Sequence, residues 1–194
     1  EKQYGRKGAE VMETNRLALE TGYAYIKNNY HDLLAAFTMP ELDNPQPKLF
    51  MLGNEAVALG ALTSGAKFMS AYPITPSSEI MEYMVKYAPA EGGVMLQTED
   101  EISACTMAIG AAYAGARAFT ATAGPGLSLM AEAIGLAEMT ETPLVVIDTQ
   151  RGGPSTGLPT KHEQSDLMAA IYNTHGDTAK IVISPSSIEE SFYD

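Results

Sequence analysis

Four short stretches of this 194-residue chain combine residue types able to hold and act on a small ligand. The first runs from Gln97 and reads QTEDEISACTMAIGAAYAGA, where Glu101 opens a run of small and apolar residues that includes Ala104, Cys105, Met107, Ala108, Ile109, Ala111 and Ala112. A helix apolar on nearly every side is buried on nearly every side. A carboxylate in its first turn would then sit among apolar neighbours, where the charged form is disfavoured and a proton can be shared near neutral pH. That is acid/base chemistry. The same letters also spell a structural signal, because Thr98 followed by Glu101 is a capping box and an acid in a first turn complements the helix dipole.

The second stretch is YPITPSSE, Tyr72 to Glu79. Thr75 can cap a helix with Pro76 at its first position. Alternatively, free amides and hydroxyls at Thr75, Ser77 and Ser78 can seat a small carboxylate. The third is TAGPG, where Gly124 and Gly126 either make an ordinary tight turn or let backbone approach a flat ligand. The fourth is RGGPSTGLPTKHEQSD, a glycine- and proline-rich loop from Arg151 to Asp166. Loops of that length without secondary structure are usually functional or disordered. Arg151 follows a strong strand pattern, and its guanidinium is either a solvated charge or a bidentate grip on a carboxylate. His162 in this loop reads as solvent-exposed.

The elements that must position these stretches alternate. Leu49–Gly53 is a short apolar run, Asn54–Ala66 a small-residue helix, Lys67–Ala71 a strand and Pro76–Tyr87 a helix. Strand Val94–Gln97, helix Asp100–Ala114, strand Ala118–Thr122 and helix Leu127–Met139 follow. PLVVID from Pro143 is a continuous apolar run of the kind buried on both faces of a parallel sheet. A helix over Asp166–Asn173 and a strand KIVIS from Lys180 complete the pattern, with a capped helix starting at Pro185–Ser187. Such alternation predicts an α/β fold, an open, doubly wound, mostly parallel sheet with ligands at the carboxyl ends of its strands.

Residues 1–48 read differently. Arg6–Ala36 has helical spacing, and MPELDNPQPK breaks it as an extended linker. This segment is expected to be a helical arm trailing from a preceding domain or docking another subunit, with 49–194 as the ligand-binding domain. The start at Glu1 and the helix cut at Asp194 suggest a piece of a longer chain.

Composition narrows the chemistry. A hydrophobic content of 45% suits a globular core, and no apolar run approaches the roughly 20 residues of a membrane span. A single cysteine excludes an internal disulfide and cannot alone hold an iron–sulfur cluster, so Cys105 is expected in the core. His31, His162 and His175 lack metal-site spacing. A net charge of -12 argues against nucleic acid and anionic membranes. A highly phosphorylated ligand would need a metal or another chain to neutralise it. The expected location is the cytoplasm.

Taken together, YPITPSSE, QTEDEISA with its small-residue helix, TATAGPGLSLM and TETPLVVIDTQRGGPSTGLPT resemble, in order, the alpha chain of 2-oxoacid:ferredoxin oxidoreductases. The likeness runs from about Asn54 to Asp166, and the arm before Pro40 resembles the junction of members with fused gamma and alpha parts. The resemblance implies a pyrimidine-binding domain of a thiamine-diphosphate enzyme. It implies that the diphosphate, Mg2+ and an iron–sulfur cluster lie with a beta chain in a hetero-oligomer. The implied reaction converts a 2-oxoacid, pyruvate or 2-oxoglutarate, to acyl-CoA and passes electrons to ferredoxin.

By the same resemblance, Glu101 stands at the family's spacing before Gly110 and would bond the pyrimidine N1′. There it would favour the imino tautomer, whose amine takes the thiazolium C2 proton. Gly124 and Gly126 would border the cofactor, while Thr75, Arg151 and Thr156 would contact the substrate. Two other readings compete. One is the pyrimidine-binding domain of a thiamine-diphosphate decarboxylase or synthase, against which YPITPSSE and RGGPSTGLPT argue. The other is a non-catalytic scaffold, against which the retention of Glu101, Thr75 and Arg151 argues.

Overall fold

The computed structural model describes residues 7–37, 39–40, 43 and 46–194, and it divides between Lys48 and Leu49 into two units. In the first unit, α1 (Ala9–Asn29) and α2 (His31–Ala36) replace the single helix expected over Arg6–Ala36. The break falls at Tyr30, whose backbone (φ -132, ψ 37) leaves the helical region. Arg6 and part of the proline-rich linker lie outside the described residues. No residue of α1 is buried, and Arg16 bridges Glu13 and Glu20 on its surface.

The second unit is built on a four-stranded, all-parallel sheet in the order β2-β1-β3-β4. The strands are β1 (Phe68–Ala71), β2 (Val94–Gln97), β3 (Ala118–Thr122) and β4 (Val145–Asp148). Around them run α3 (Gly53–Thr63), α4 (Ser78–Tyr87), α5 (Glu101–Tyr113) and α6 (Gly124–Met139), then α7 (Leu167–Tyr172) and α8 (Glu190–Tyr193).

Side-chain alternation along the central strands divides the core. Met69, Ala71, Phe119 and Ala121 face one way and pack with Ala58 of α3 and Ile80, Met81 and Met84 of α4. On the other side Ala118 meets Ala108 and Ala112 of α5. Ala104, Cys105 and Ile109 of α5 interlock with Met130, Ala133 and Ala137 of α6. Two helices this rich in alanine can approach each other and the sheet closely, which is why α5 carries six buried residues in 13. Cys105 is fully buried, and burial pushes its thiol up to about 11.

Two expected features of the sheet differ, while the apolar run at Leu49–Gly53 leads directly into α3, which starts at Gly53. Lys180–Ser184 has strand letters but is not hydrogen-bonded to the sheet; it borders a cavity of about 560 Å³ whose other wall includes Val146 and Leu144. β4 is therefore an edge, with Val145 58% exposed rather than buried on both faces. An apolar run is buried on both faces only where other elements pack on both faces of the strand. At the chain's end α8 starts only at Glu190, with Glu189 at its N-cap making no side-chain capping bond, although Ser187 Oγ accepts from the Glu190 amide at 3.1 Å. Among the described residues no helix is long and apolar enough to cross a membrane.

Candidate active site

From β1 the chain winds outward to β2, and from β3 outward to β4, so the strand order reverses between β1 and β3. Ligands of doubly wound sheets lie in the crevice beyond the carboxyl ends at such a point. β1 and β3 pair only at Phe68↔Ala118 and Met69↔Phe119, whereas the outer pairings each run over four residues. The central strands thus part toward their carboxyl ends. All four candidate stretches leave the sheet on that edge.

Glu101 reaches it from β2 through Thr98–Asp100. The cap of α5 is Asp100, whose Oδ1 accepts from the Ser103 amide at 2.6 Å, while Thr98 Oγ1 donates to the Asp100 carbonyl at 2.9 Å. The capping box expected between Thr98 and Glu101 is therefore not formed. With Asp100 in that role the Glu101 side chain turns inward and is 6% exposed, while Glu99 is exposed. It rests on Gly126. A Cβ on residue 126 would overlap Thr122 Oγ1 and come within 2.7 Å of Cγ and 2.9 Å of Oε1 of Glu101. Gly126 is thus required by the carboxylate it faces.

α6 begins at Gly124, earlier than its apolar letters suggest, because Ala123 is extended (φ -131, ψ 167) and Pro125 fits the first turn. Gly124 serves a second acid: a Cβ there would meet Asp166 Oδ2 at 2.9 Å. The two glycines of GPG are each occupied by a different carboxylate.

Thr75, Arg151 and Thr156 also come together. Arg151 Nη1 donates to the Thr75 carbonyl and Nη2 to the Thr156 carbonyl, both at 2.7 Å. The guanidinium is not the solvated charge that a strand end could carry: Arg151 is 6% exposed, and its buried Nε lacks a hydrogen-bond partner. Thr75 is not a helix cap either. The Thr75–Pro76 peptide is cis, and α4 begins only at Ser78. Ser77 Oγ and the Ser78 amide both donate to the Ile74 carbonyl, so neither is free to seat a ligand.

The loop after Arg151 is ordered by its own backbone. Leu158 donates to the Gly152 carbonyl at 2.8 Å and Gly152 to the Lys161 carbonyl at 3.0 Å. Gly157 has a positive φ of 62, and a Cβ there would overlap the Gly152 carbonyl. His162 is exposed, as expected of a solvent loop.

Two acids escaped the sequence reading. Asp148 ends β4 and Asp166 ends the long loop. Burial first, then the charge of Asp166 and a hydrogen bond to it, push the Asp148 carboxyl up to about 7. Both occur in stretches already singled out, but nothing in their spacing says that they meet. Among the described residues no group of three or more His, Cys, Asp or Glu could hold a metal ion.

Fold and geometry define an α/β domain that gathers a buried glutamate, a GPG turn and a buried arginine at the carboxyl edge of a parallel sheet. The family described as pyruvate flavodoxin/ferredoxin oxidoreductase, thiamine-diphosphate-binding, matches residues 59–194. The chain belongs to this family. It is 54% identical over 143 residues to 2-oxoglutarate synthase subunit KorA of Methanothermobacter marburgensis, covering 74% of this chain and 38% of the relative. It is 42% identical over 200 residues to 2-oxoglutarate oxidoreductase subunit KorA of Mycobacterium tuberculosis, covering 98% of this chain and 30% of that one. A solved structure of 2-oxoglutarate:ferredoxin oxidoreductase from Magnetococcus marinus, with 2-oxoglutarate, coenzyme A and succinyl-CoA bound, aligns with a TM-score of 0.80 and 46% identity over 98% of this chain and 33% of that chain. The chain spans between 30% and 38% of the lengths of these proteins.

Proposed function

We propose that this chain is the pyrimidine-binding part of a thiamine-diphosphate-dependent 2-oxoacid:ferredoxin oxidoreductase, which converts a 2-oxoacid to acyl-CoA and passes electrons to ferredoxin. The observation that carries the reading is the buried Glu101 carboxylate, relieved of capping by Asp100 and set on the Cα of Gly126 at the switch point of the sheet. Between 2-oxoglutarate and pyruvate the first is favoured, since the M. marburgensis and M. tuberculosis relatives are named for it.

The residues suit the cofactor. An aminopyrimidine needs a carboxylate at its N1′, which Glu101 would supply, seated on Gly126 of the GPG turn that would border the ring. The net charge of -12 suits a domain that leaves the diphosphate and Mg2+ to a beta chain. The iron–sulfur cluster falls to the same partner, in a cytoplasmic hetero-oligomer. When bound, thiamine diphosphate supplies the nucleophilic carbon and the electron sink for decarboxylation.

This chain's residues then hold and position. Glu101 would hold a proton at the pyrimidine N1′, and its burial would keep water from competing for it. Arg151 would offer its guanidinium to the substrate carboxylate, while the Thr75 and Thr156 carbonyls hold Nη1 and Nη2 in place. A cation this buried, with carbonyls alone as partners, gains from an incoming anion.

The test is reconstitution of the full-length alpha chain with its beta chain. Coenzyme A-dependent, 2-oxoacid-dependent reduction of ferredoxin that requires thiamine diphosphate supports the reading. A reconstituted complex that binds the cofactor but reduces nothing with either 2-oxoglutarate or pyruvate sinks it.

A further inference from the structure

Asp166 occupies the N-cap position of α7 without a side-chain capping bond, although aspartate is among the best residues for one. Its carboxylate instead points back to α6 and lies on Gly124, with Oδ2 2.9 Å and Oδ1 3.3 Å from the point a Cβ would take. Its amide donates to Gln150 Oε1 at 2.9 Å, so both ends of the loop meet here. At the other end Asp148 closes β4, and the next amide, Thr149, donates to the Thr122 carbonyl at 2.9 Å.

Asp148 Oδ1 and Asp166 Oδ2 are both buried, have no hydrogen-bond partner among the described residues, and belong to side chains that line the same cavity. Two ionised carboxylates only accept, and packed together without a donor they repel. One proton between them supplies the missing donor.

We propose that Asp148 and Asp166 share one proton and form a clasp that closes the Arg151–Ser165 loop at its two ends against the GPG turn, thereby positioning Arg151 and Thr156. They are positioning residues. The clasp fixes the loop at the same turn whose other glycine faces Glu101, and so sets the distance from the substrate grip to the cofactor edge. The clasp's effect on substrate rests on the function proposed above; the clasp itself does not.

Other charged groups near the pair are already engaged or distant. Glu101 faces Gly126, Arg151 bonds Thr75 and Thr156, and Glu163 accepts from Gly153. Glu138, whose carboxylate accepts from Ala179, and Lys180, bonded to Thr174, line the same cavity. Glu138 lies fourteen residues along α6 from Gly124, about 20 Å at the helical rise.

The experiment uses the full-length enzyme with its partner chain, in Asp148→Ala, Asp166→Ala and Asp148→Asn forms. Amide hydrogen exchange over residues 150–165 reads the clasp directly. Exchange is expected to quicken in both alanine variants and to stay near wild type in Asp148→Asn, whose amide donates permanently. The KM for the 2-oxoacid is expected to rise roughly tenfold in the alanine variants, the scale of one lost buried hydrogen bond, with cofactor C2-proton exchange little changed.

Unchanged amide exchange in both alanine variants overturns the clasp. Faster amide exchange with unchanged KM overturns its positioning role. An enzyme inactive on every 2-oxoacid fails the proposed function instead, and amide exchange still decides the clasp. Should the alanine variants not assemble, pH decides: a wild-type loop whose protection, taken relative to the intrinsic exchange rate at each pH, falls as pH rises through about 7, beside an Asp148→Asn loop whose protection stays constant, supports the clasp. Identical profiles overturn it.

Discussion

The carboxylate of Glu101 rests on the Cα of Gly126, its Oε1 2.9 Å from where a Cβ at that position would stand. The two residues come from different strand ends, Glu101 after β2 and Gly126 after β3, and they meet across the parted carboxyl ends of the sheet. This relationship separates a helix cap from a chemical group, because α5 is capped by its neighbour Asp100.

Glu101→Gln should therefore leave stability nearly unchanged while C2-proton exchange and turnover fall by roughly 10²-fold or more, the scale of a lost acid/base group. Glu99→Gln, at an exposed position, should change neither. Asp100→Ala should do the reverse, costing about 1 kcal/mol of stability through the lost cap. Thermal unfolding with the exchange assay on all three variants checks the set. A normal exchange rate in Glu101→Gln would remove Glu101 from the chemistry.

Gly126→Ala forces its methyl into Thr122 Oγ1 and Glu101 Cγ. Overpacking of this kind costs about 1–3 kcal/mol, but the larger effect should be on function, since the carboxylate is what can move. We expect a fall in thiamine-diphosphate affinity, measured by calorimetry in the assembled enzyme, beyond what the change in melting temperature predicts. Unaltered affinity would show that the GPG turn does not border the cofactor.

How much of this the letters carried depends on range. The sheet, its alternation and the four loops at one edge were legible because period and punctuation are local properties. The cap of α5 was misplaced by two residues: Thr98, Glu99, Asp100 and Glu101 offer several capping patterns, and only φ and ψ choose among them. The KIVIS strand was misread because pairing belongs to two segments, and Lys180–Ser184 has the letters without the partner. Arg151 was placed on the right loop, but its burial was not legible. That burial is created by Thr75, 76 positions earlier. Asp148 and Asp166 were missed for the same reason.

Arg151→Lys keeps the charge and loses the fork that reaches Thr75 and Thr156 together. One charged hydrogen bond lost is worth about 1.5–3 kcal/mol, so the apparent KM for the 2-oxoacid should rise about tenfold or more. C2-proton exchange should hold. Steady-state kinetics beside that exchange assay is the measurement; an unchanged KM would leave Arg151 as a tie between loops and nothing more.

Cofactor binding should be a property of the assembly. With its net charge of -12 the isolated chain is expected to bind thiamine diphosphate and Mg2+ weakly or not at all. Calorimetric titration of the chain alone checks this. Micromolar affinity without a partner would place the diphosphate site here instead.

The last expectation concerns pH and follows from the Asp148 carboxyl being pushed up to about 7. An aspartate in the unfolded chain titrates near 4, so between about pH 4 and 7 the folded protein holds a proton that the unfolded chain has released. The protonated pair's contribution is therefore fully present below about pH 4 and is lost as pH rises through about 7. Asp148→Asn has no such proton to lose. Relative to wild type it should become progressively more stable across that window and level off above it. Each kcal/mol gained should appear as about 2–4 °C in melting temperature for a chain of this size. Melting curves of both proteins at fixed ionic strength from pH 5 to 9 measure the difference directly. If their separation does not grow with pH, Asp148 is not the group that holds the proton, and the pH behaviour of the loop must come from elsewhere.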